Sequence, residues 1–283
     1  MRKVILNSAA WFAQHLPTSV KQSIYHIRPL AKLLRKTLNK AAPEGLSRVK
    51  VAAGDLADTR LYLNLQTEKD YWLGTYEPEL QKAVRDWGKP GMVAYDIGAN
   101  IGYISLLLAK AVGETGHVYS FEALPTNIER LRQNLILSGQ TENITVIHAA
   151  VTNHNDEVEF LVHSSTSMGK VAGSTGRTDA SYQASIMVPG IAMDDYIHEK
   201  DPRHPDIIKL DIEGGEVLAI EAMHETLRLY HPLLLIELHG PESARAVGSV
   251  LLENNYEITR MDHPDQQIDL QHPDHWKAYI LAR

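Results

Sequence analysis

Five short apolar runs, separated by segments with helical spacing, constrain the fold of this chain more than any other feature. They are MVAYDIG (residues 92–98), GHVYSFEA (116–123), NITVIHAAV (143–151), DIIKLDIEG (206–214) and PLLLIELHG (232–240). Strands that alternate with helices pair in parallel through crossovers, so the expected class is α/β, a doubly wound and mostly parallel sheet. Ile101, Ile104, Leu107, Leu108 and Ala111 form the apolar face of the first crossover helix, which Gly113 ends. In the second, Thr126 and Glu129 read as a T-x-x-E capping box, Ile128, Leu131 and Leu135 as the buried face, and Gly139 as the stop.

After the third run the regularity breaks. DEVEFLV (156–162) alternates like a half-buried strand, and residues 163–183 are small, polar and without period, as in a lid or substrate-binding loop. ASIMVPGIAMDDYI (184–197) restores a strand and then a helix from Asp194, with YEITR (256–260) and WKAYILA (276–282) as a closing antiparallel pair. No internal repeat or linker interrupts residues 51–283, which read as one domain behind a basic helical extension, residues 1–50. That extension holds ten Lys or Arg against one acid, a net +9, while the whole chain carries −7. Leu30, Leu33, Leu34 and Leu38 lie among its cations at helical spacing. A helix of this kind either rests on an anionic membrane surface or packs on the acidic body with its cations in solvent.

Several chemistries are excluded. The chain has no cysteine, hence no disulfide, thiolate metal site or cysteine nucleophile. No apolar run reaches the roughly 20 residues that span a bilayer, and VILNSAAWFAQHL (4–16) is broken by Asn7, Gln14 and His15. Neither a Gly-x-Ser-x-Gly elbow nor a Walker loop is present, and the fourteen histidines lack H-x-x-x-H spacing. A cytoplasmic location is expected, with the inner membrane face as the alternative; no nucleic-acid partner is expected, and the oligomeric state is not readable.

The turn after the first strand identifies a ligand class. Ligands of doubly wound sheets bind outside the carboxyl ends of the strands, where glycines admit a cofactor to the backbone. Here Asp96 precedes Gly98 and Gly102, which are four apart, so the dinucleotide fingerprint G-x-G-x-x-G is absent. A carboxylate at this turn repels a pyrophosphate and attracts a sulfonium and an ammonium, favouring S-adenosylmethionine over NAD. Glu122, at the end of the second strand, stands where an acid accepts hydrogen bonds from ribose hydroxyls.

With YDIGANIGYIS, FEALPTN, MDDYI and above all IIKLDIEGGE, the chain from WLGTYEPEL to LLLIELHG resembles the FkbM family of S-adenosylmethionine-dependent methyltransferases. The resemblance implies the Rossmann-like methyltransferase fold and O-methylation, often of sugar hydroxyls or of hydroxyls on other small molecules. It places Asp96, Gly98, Asn100 and Gly102 around the methionine part of the cofactor and Glu122 on the ribose. Ala99, Ala123 and Glu77 complete the expected cofactor-binding set, and Asn127 matches a family position without an assigned role. Ala123 and Gly215 depart from the proline and alanine more usual there.

The reacting groups are expected beyond the cofactor at the strand ends. Asp211 ends the fourth strand, as general base or as anchor for the cofactor's amino group, and Glu213 and Glu216 follow it where helix capping is the simpler role. Glu237 and His239 share one side of the fifth strand. His239 suits a base, or a divalent-metal ligand beside Asp211 and Glu237; the metal is left open rather than expected. The pairs Tyr76 with Glu77 and Asp194 with Asp195 start helices on the same rim, where capping is the commoner use. Two rivals stand beside the methyltransferase reading: an NAD(P)-dependent oxidoreductase on a related sheet, and a non-catalytic binding protein with a methyltransferase-like fold.

Overall fold

The computed structural model describes residues 2–16, 36–163, 168–175, 182–200, 203–272 and 279–283. The chain divides into two compact units, one of Met1–Pro78 with Ile136–Gly139, the other of Glu79–Leu135 with Gln140–Arg283. In the first unit, α1 spans Arg2–His15, residues 36–41 are helical, β1 (Leu46–Lys50) pairs antiparallel with β2 (Arg60–Asn64), and α2 spans Lys69–Leu73. The expected amphipathic helix around Leu30, Leu33 and Leu34 lies outside the described residues. No helix among the described residues is long and apolar enough to cross a membrane.

The second unit takes up the chain within α3 (Pro78–Trp87), whose first residue belongs to the first unit, and continues with β3 (Val93–Ile97), α4 (Tyr103–Val112), β4 (His117–Glu122), α5 (Pro125–Ser138), whose last turn is again of the first unit, and β5 (Ile144–His148). Then come β6 (Ala150–Thr152), β7 (Glu157–His163), β8 (Gly169–Val171), β9 (Tyr182–Ala192) and α6 (Met193–Lys200). It closes with β10 (Ile207–Leu210), α7 (Glu216–Glu221), α8 (His224–Tyr230), β11 (Leu233–Glu237), α9 (Pro241–Glu253), β12 (Ile258–Arg260) and β13 (Tyr279–Ala282). Seven strands form the main sheet in the order β12-β13-β11-β10-β3-β4-β5. Strands β11, β10, β3, β4 and β5 run parallel, with β5 at one edge, and β13 is antiparallel to both β11 and β12. This is the expected α/β class, with the expected antiparallel strands at the chain's end.

The parallel strands form where the sequence is apolar on both faces, and all five residues of β3 and all four of β10 are buried. One face packs Tyr95, Ile97, Phe121, Ile208, Leu210, Leu234 and Ile236 into a single core with Val247 and Leu251 of α9. The order of the strands sets the site. From β3 the chain proceeds to β4 and β5 on one side, then crosses to β10 and β11 on the other, so the switch point lies between β3 and β10.

Two local features differ from expectation. Helix α5 starts at Pro125, so Thr126 is inside it and no capping box forms; Glu122 instead accepts the Leu124 amide at 2.8 Å. The unpatterned stretch 163–183 contains β8, which pairs with β7, and both flanks are strands of a second, four-stranded sheet ordered β6-β9-β7-β8. Val158, Phe160, Val171 and Val188 give that sheet its own small core. Residues 164–167 and 176–181 of the stretch lie outside the described residues.

Candidate functional site

At the switch point the glycine turn is built by backbone conformations that side chains resist. Gly98 has φ +82° and Gly102 φ +86°, and Asn100 between them has φ +48°. A Cβ on Gly98 would stand 1.9 Å from the Asp211 carbonyl oxygen, so the turn lies directly against the end of β10. The amides of Gly98 and Ala99 both donate to the Phe121 carbonyl, at 3.0 and 2.9 Å. These bonds fasten the turn to the end of β4.

Glu122 completes that attachment. One carboxylate oxygen accepts the Asn100 amide at 2.7 Å; the other accepts the Leu124 amide at 2.8 Å and the Asn127 side-chain amide at 3.3 Å. Burial raises the Glu122 pKa, against the three hydrogen bonds and Lys209, which favour the anion. Asn127, which sequence reasoning left without a role, braces Glu122. Ala123 is buried beside it, and the Asn100 side-chain oxygen is buried without a hydrogen-bond partner among the described residues.

Asp96 is placed behind the turn. It is completely buried, accepts from the Ser105 hydroxyl at 2.6 Å, and lies 3.2 Å from the Lys209 ammonium. The parallel register of β3 and β10 sets Lys209 directly beside Asp96. Lys209 also donates to the carbonyls of Gly98 at 2.8 Å and Ile97 at 3.3 Å. The carboxylate expected to face a sulfonium is therefore engaged by a cation of the protein, and it supports the turn through Lys209. The IIKLDIEGGE motif by itself gives Lys209 no role, yet a lysine flanked by Ile207, Ile208 and Leu210 on a central strand is the signal of a buried partner.

The expected catalytic residues converge beyond the β10 and β11 ends. His239, 6% exposed, meets a Glu216 oxygen through Nδ1 at 2.9 Å. Its Nε2 points at three carboxylates: Glu213 at 3.6 Å, Asp211 at 3.8 Å and Glu237 at 3.9 Å. Burial alone would lower the His239 pKa, but the Glu216 hydrogen bond and the charges of Glu216, Asp211 and Glu213 raise it to about 9. At neutral pH the metal-free imidazole is therefore a cation.

Glu216 is the residue that sequence reasoning underrated. It is the first residue of α7, as a capping acid would be, and its carboxylate accepts the Gly214 amide at 3.0 Å and the Ile212 amide at 3.3 Å. It also takes the Ser243 hydroxyl at 3.2 Å and holds the imidazole. Burial raises its pKa, yet the His239 bond and charge outweigh this and lower it. Glu213 stands in the turn before the helix, at φ +55°. On the second sheet's side, the Thr175 hydroxyl donates to the Gly214 carbonyl at 3.1 Å, so the middle of the stretch 163–183 reaches this turn.

Other rim residues have structural uses. Asp194 caps α8, accepting the Glu225 and Thr226 amides at 2.9 and 2.8 Å, and Asp195 accepts from Asn155 at 2.7 Å. Glu77 belongs to the first unit, at φ +40°.

Residues 96–263, more than half of the chain, match the family described as the methyltransferase FkbM domain. A hexuronic acid methyltransferase of Haloferax volcanii is 21% identical over 175 residues, 61% of this chain and 67% of that protein. A protein-L-isoaspartate O-methyltransferase of Methanothermobacter thermautotrophicus is 28% identical over 158 residues, 56% of this chain and 57% of that one. The chain thus spans about two thirds of the first relative and little more than half of the second. The crystal structure of an FkbM methyltransferase from Methylobacillus flagellatus aligns with TM-score 0.43 and 18% identity, covering 77% of this chain and 54% of that one.

Proposed function

The chain belongs to the FkbM methyltransferase family, and from that premise we propose that it is an S-adenosylmethionine-dependent O-methyltransferase acting on a hydroxyl of a sugar or glycan. The observation that carries the proposal is the juxtaposition at one switch point of a glycine turn fastened by Glu122 and a carboxylate–histidine cluster on the next two strand ends. The turn fits the cofactor. Its glycines keep the backbone bare of side chains, and the Asn100 oxygen is buried with an acceptor to offer. Gly98, Ala99, Asn100 and Gly102 would hold the methionine portion, with Glu122 and Ala123 at the ribose.

Bound there, S-adenosylmethionine supplies a methyl group on a sulfonium, whose bonding electrons return to sulfur as a new oxygen–methyl bond forms. The protein's share is to orient the acceptor oxygen and take its proton. Asp211, Glu213 and Glu237 are 21–25% exposed at the cluster and can accept that proton. His239 is a cation at neutral pH in the metal-free protein, with Glu216 fixing its ring.

The cluster's carboxylates favour a neutral hydroxyl over an anionic acceptor such as an isoaspartyl carboxylate or a nucleic-acid phosphate. The basic residues 1–50 would suit an enzyme working at the cytoplasmic membrane face on a lipid-linked glycan; sedimentation with anionic vesicles, with and without residues 1–35, checks this. Methyl-labelled cofactor, offered with neutral glycosides, a uronic acid glycoside and an isoaspartyl peptide, tests the acceptor class. A base-stable methyl ether on a glycoside is expected. A base-labile ester alone, or transfer to the peptide alone, would overturn the sugar-hydroxyl reading.

A further inference from the structure

We propose that Asp211, Glu237 and His239 form a binding site for one divalent cation, of the Mn2+ type, that holds two neighbouring oxygens of the acceptor. The inference rests on the methyltransferase reading for the cation's role, but not for its binding.

Three observations carry it. The first is convergence: one donor atom from each of the three residues lies within 4.8 Å of the others, a spacing that closes around a single ion with modest side-chain rotation. The second is the imidazole. His239 is 6% exposed, Nδ1 is committed to Glu216, and Nε2 makes no hydrogen bond among the described residues while facing the cluster. Carboxylates surround Nε2 at 3.6 to 3.9 Å, beyond hydrogen-bond length, which leaves room between them for an ion with shorter bonds to each. The third is the Glu216 carboxylate itself, with 0% exposure and three further protein donors. A buried carboxylate behind a histidine is the arrangement that fixes tautomer and ring orientation for a metal ligand.

The donor set selects the cation. Two carboxylates with one imidazole suit Mn2+ or Fe2+ better than Mg2+, which takes oxygen alone, or zinc structural sites, which are rich in nitrogen and sulfur. The three protein donors leave coordination positions open, and the Gly98 turn lies against the Asp211 backbone, so those positions border the cofactor turn. A sugar offering adjacent hydroxyls fills two of them. The ion stabilises the alkoxide as the hydroxyl proton passes to a neighbouring carboxylate or water, and the oxygen then takes the methyl group while the sulfonium becomes a neutral thioether.

The test is a Mn2+ titration of chelator-treated protein followed by electron paramagnetic resonance of the free ion, with S-adenosylhomocysteine calorimetry in parallel. One Mn2+ per chain is expected, with affinity at least tenfold weaker in Asp211→Asn and Glu237→Gln, and weaker by tenfold or more in Glu216→Gln. Retained S-adenosylhomocysteine binding shows that the variants are folded and that the cofactor site is separate. No stoichiometric Mn2+ binding in the parent protein, or binding unchanged in both ligand variants, overturns the site. Failure of S-adenosylhomocysteine to bind while Mn2+ binds in this pattern overturns the methyltransferase reading and leaves the metal site standing.

Discussion

Lys209→Met removes the cation that neutralises a carboxylate with 0% exposure, and the side chain lost is itself only 3% exposed. Among the described residues the Asp96 oxygen facing Lys209 has no hydrogen-bond partner, so the substitution leaves a buried charge supported by the Ser105 hydroxyl on the other oxygen. Removing one member of a buried pair costs about 3–5 kcal/mol, a large part of the roughly 5–15 kcal/mol that holds a domain folded. At about 2–4 °C per kcal/mol for chains of this size, the melting temperature falls by on the order of 10 °C. Asp96→Asn combined with Lys209→Met takes the orphaned charge away, keeps an acceptor for Ser105, and should recover more than half of the loss. Affinity for S-adenosylhomocysteine should not recover with it, because the Gly98 carbonyl still lacks the donor that stands at 2.8 Å in the parent. Urea titrations of the parent, both single variants and the double variant measure the cycle, with calorimetry for the ligand. A Lys209→Met protein within about 0.5 kcal/mol of the parent, or a double variant no more stable than the single one, would refute the reasoning.

Two further outcomes follow from the same geometry. Gly98→Ala forces an alanine to φ +82° with its Cβ 1.9 Å from the Asp211 carbonyl oxygen; the dihedral alone costs about 1–3 kcal/mol. Loss of S-adenosylhomocysteine binding with near-native circular dichroism is expected, and undiminished affinity would show that the turn does not define the cofactor site. In the metal-free protein the His239 pKa is raised from 6.5 to about 9, so its contribution to stability is full below pH 6.5 and is lost as pH rises through 9. Urea midpoints should decline across that window in the parent and less so in His239→Gln; parallel curves for the two proteins would contradict the assignment.

The parts of the fold that were legible in the sequence are those whose signal is local. Ile97 and Phe121 lie in apolar runs long enough for buried strands, and Gly98, Gly102 and Gly113 stand where a positive φ is required. The cluster of Asp211, Glu237 and His239 was legible because parallel strands end at one edge, so residues at their ends meet. What escaped was set by long-range pairing. Alternation in β7 identifies a half-buried strand but not its partners, and β8 is only three residues long in a polar stretch. Lys209 and Asp96 are joined by strand register, and Glu216 finds His239 across two elements, so neither partnership leaves a spacing in the sequence. The position of Asp96 pointed correctly to the glycine turn, but only burial distances show its charge satisfied from within the protein.

Calorimetric titration with S-adenosylhomocysteine tests the central claim most directly, in the parent protein and in Glu122→Ala, which removes the acceptor of the Asn100 and Leu124 amides. The account predicts one site per chain in the parent and affinity lowered by at least about tenfold in the variant, a drop no smaller than one charged hydrogen bond is worth. No binding by the parent protein, with saturable binding of NADH in its place, would contradict it.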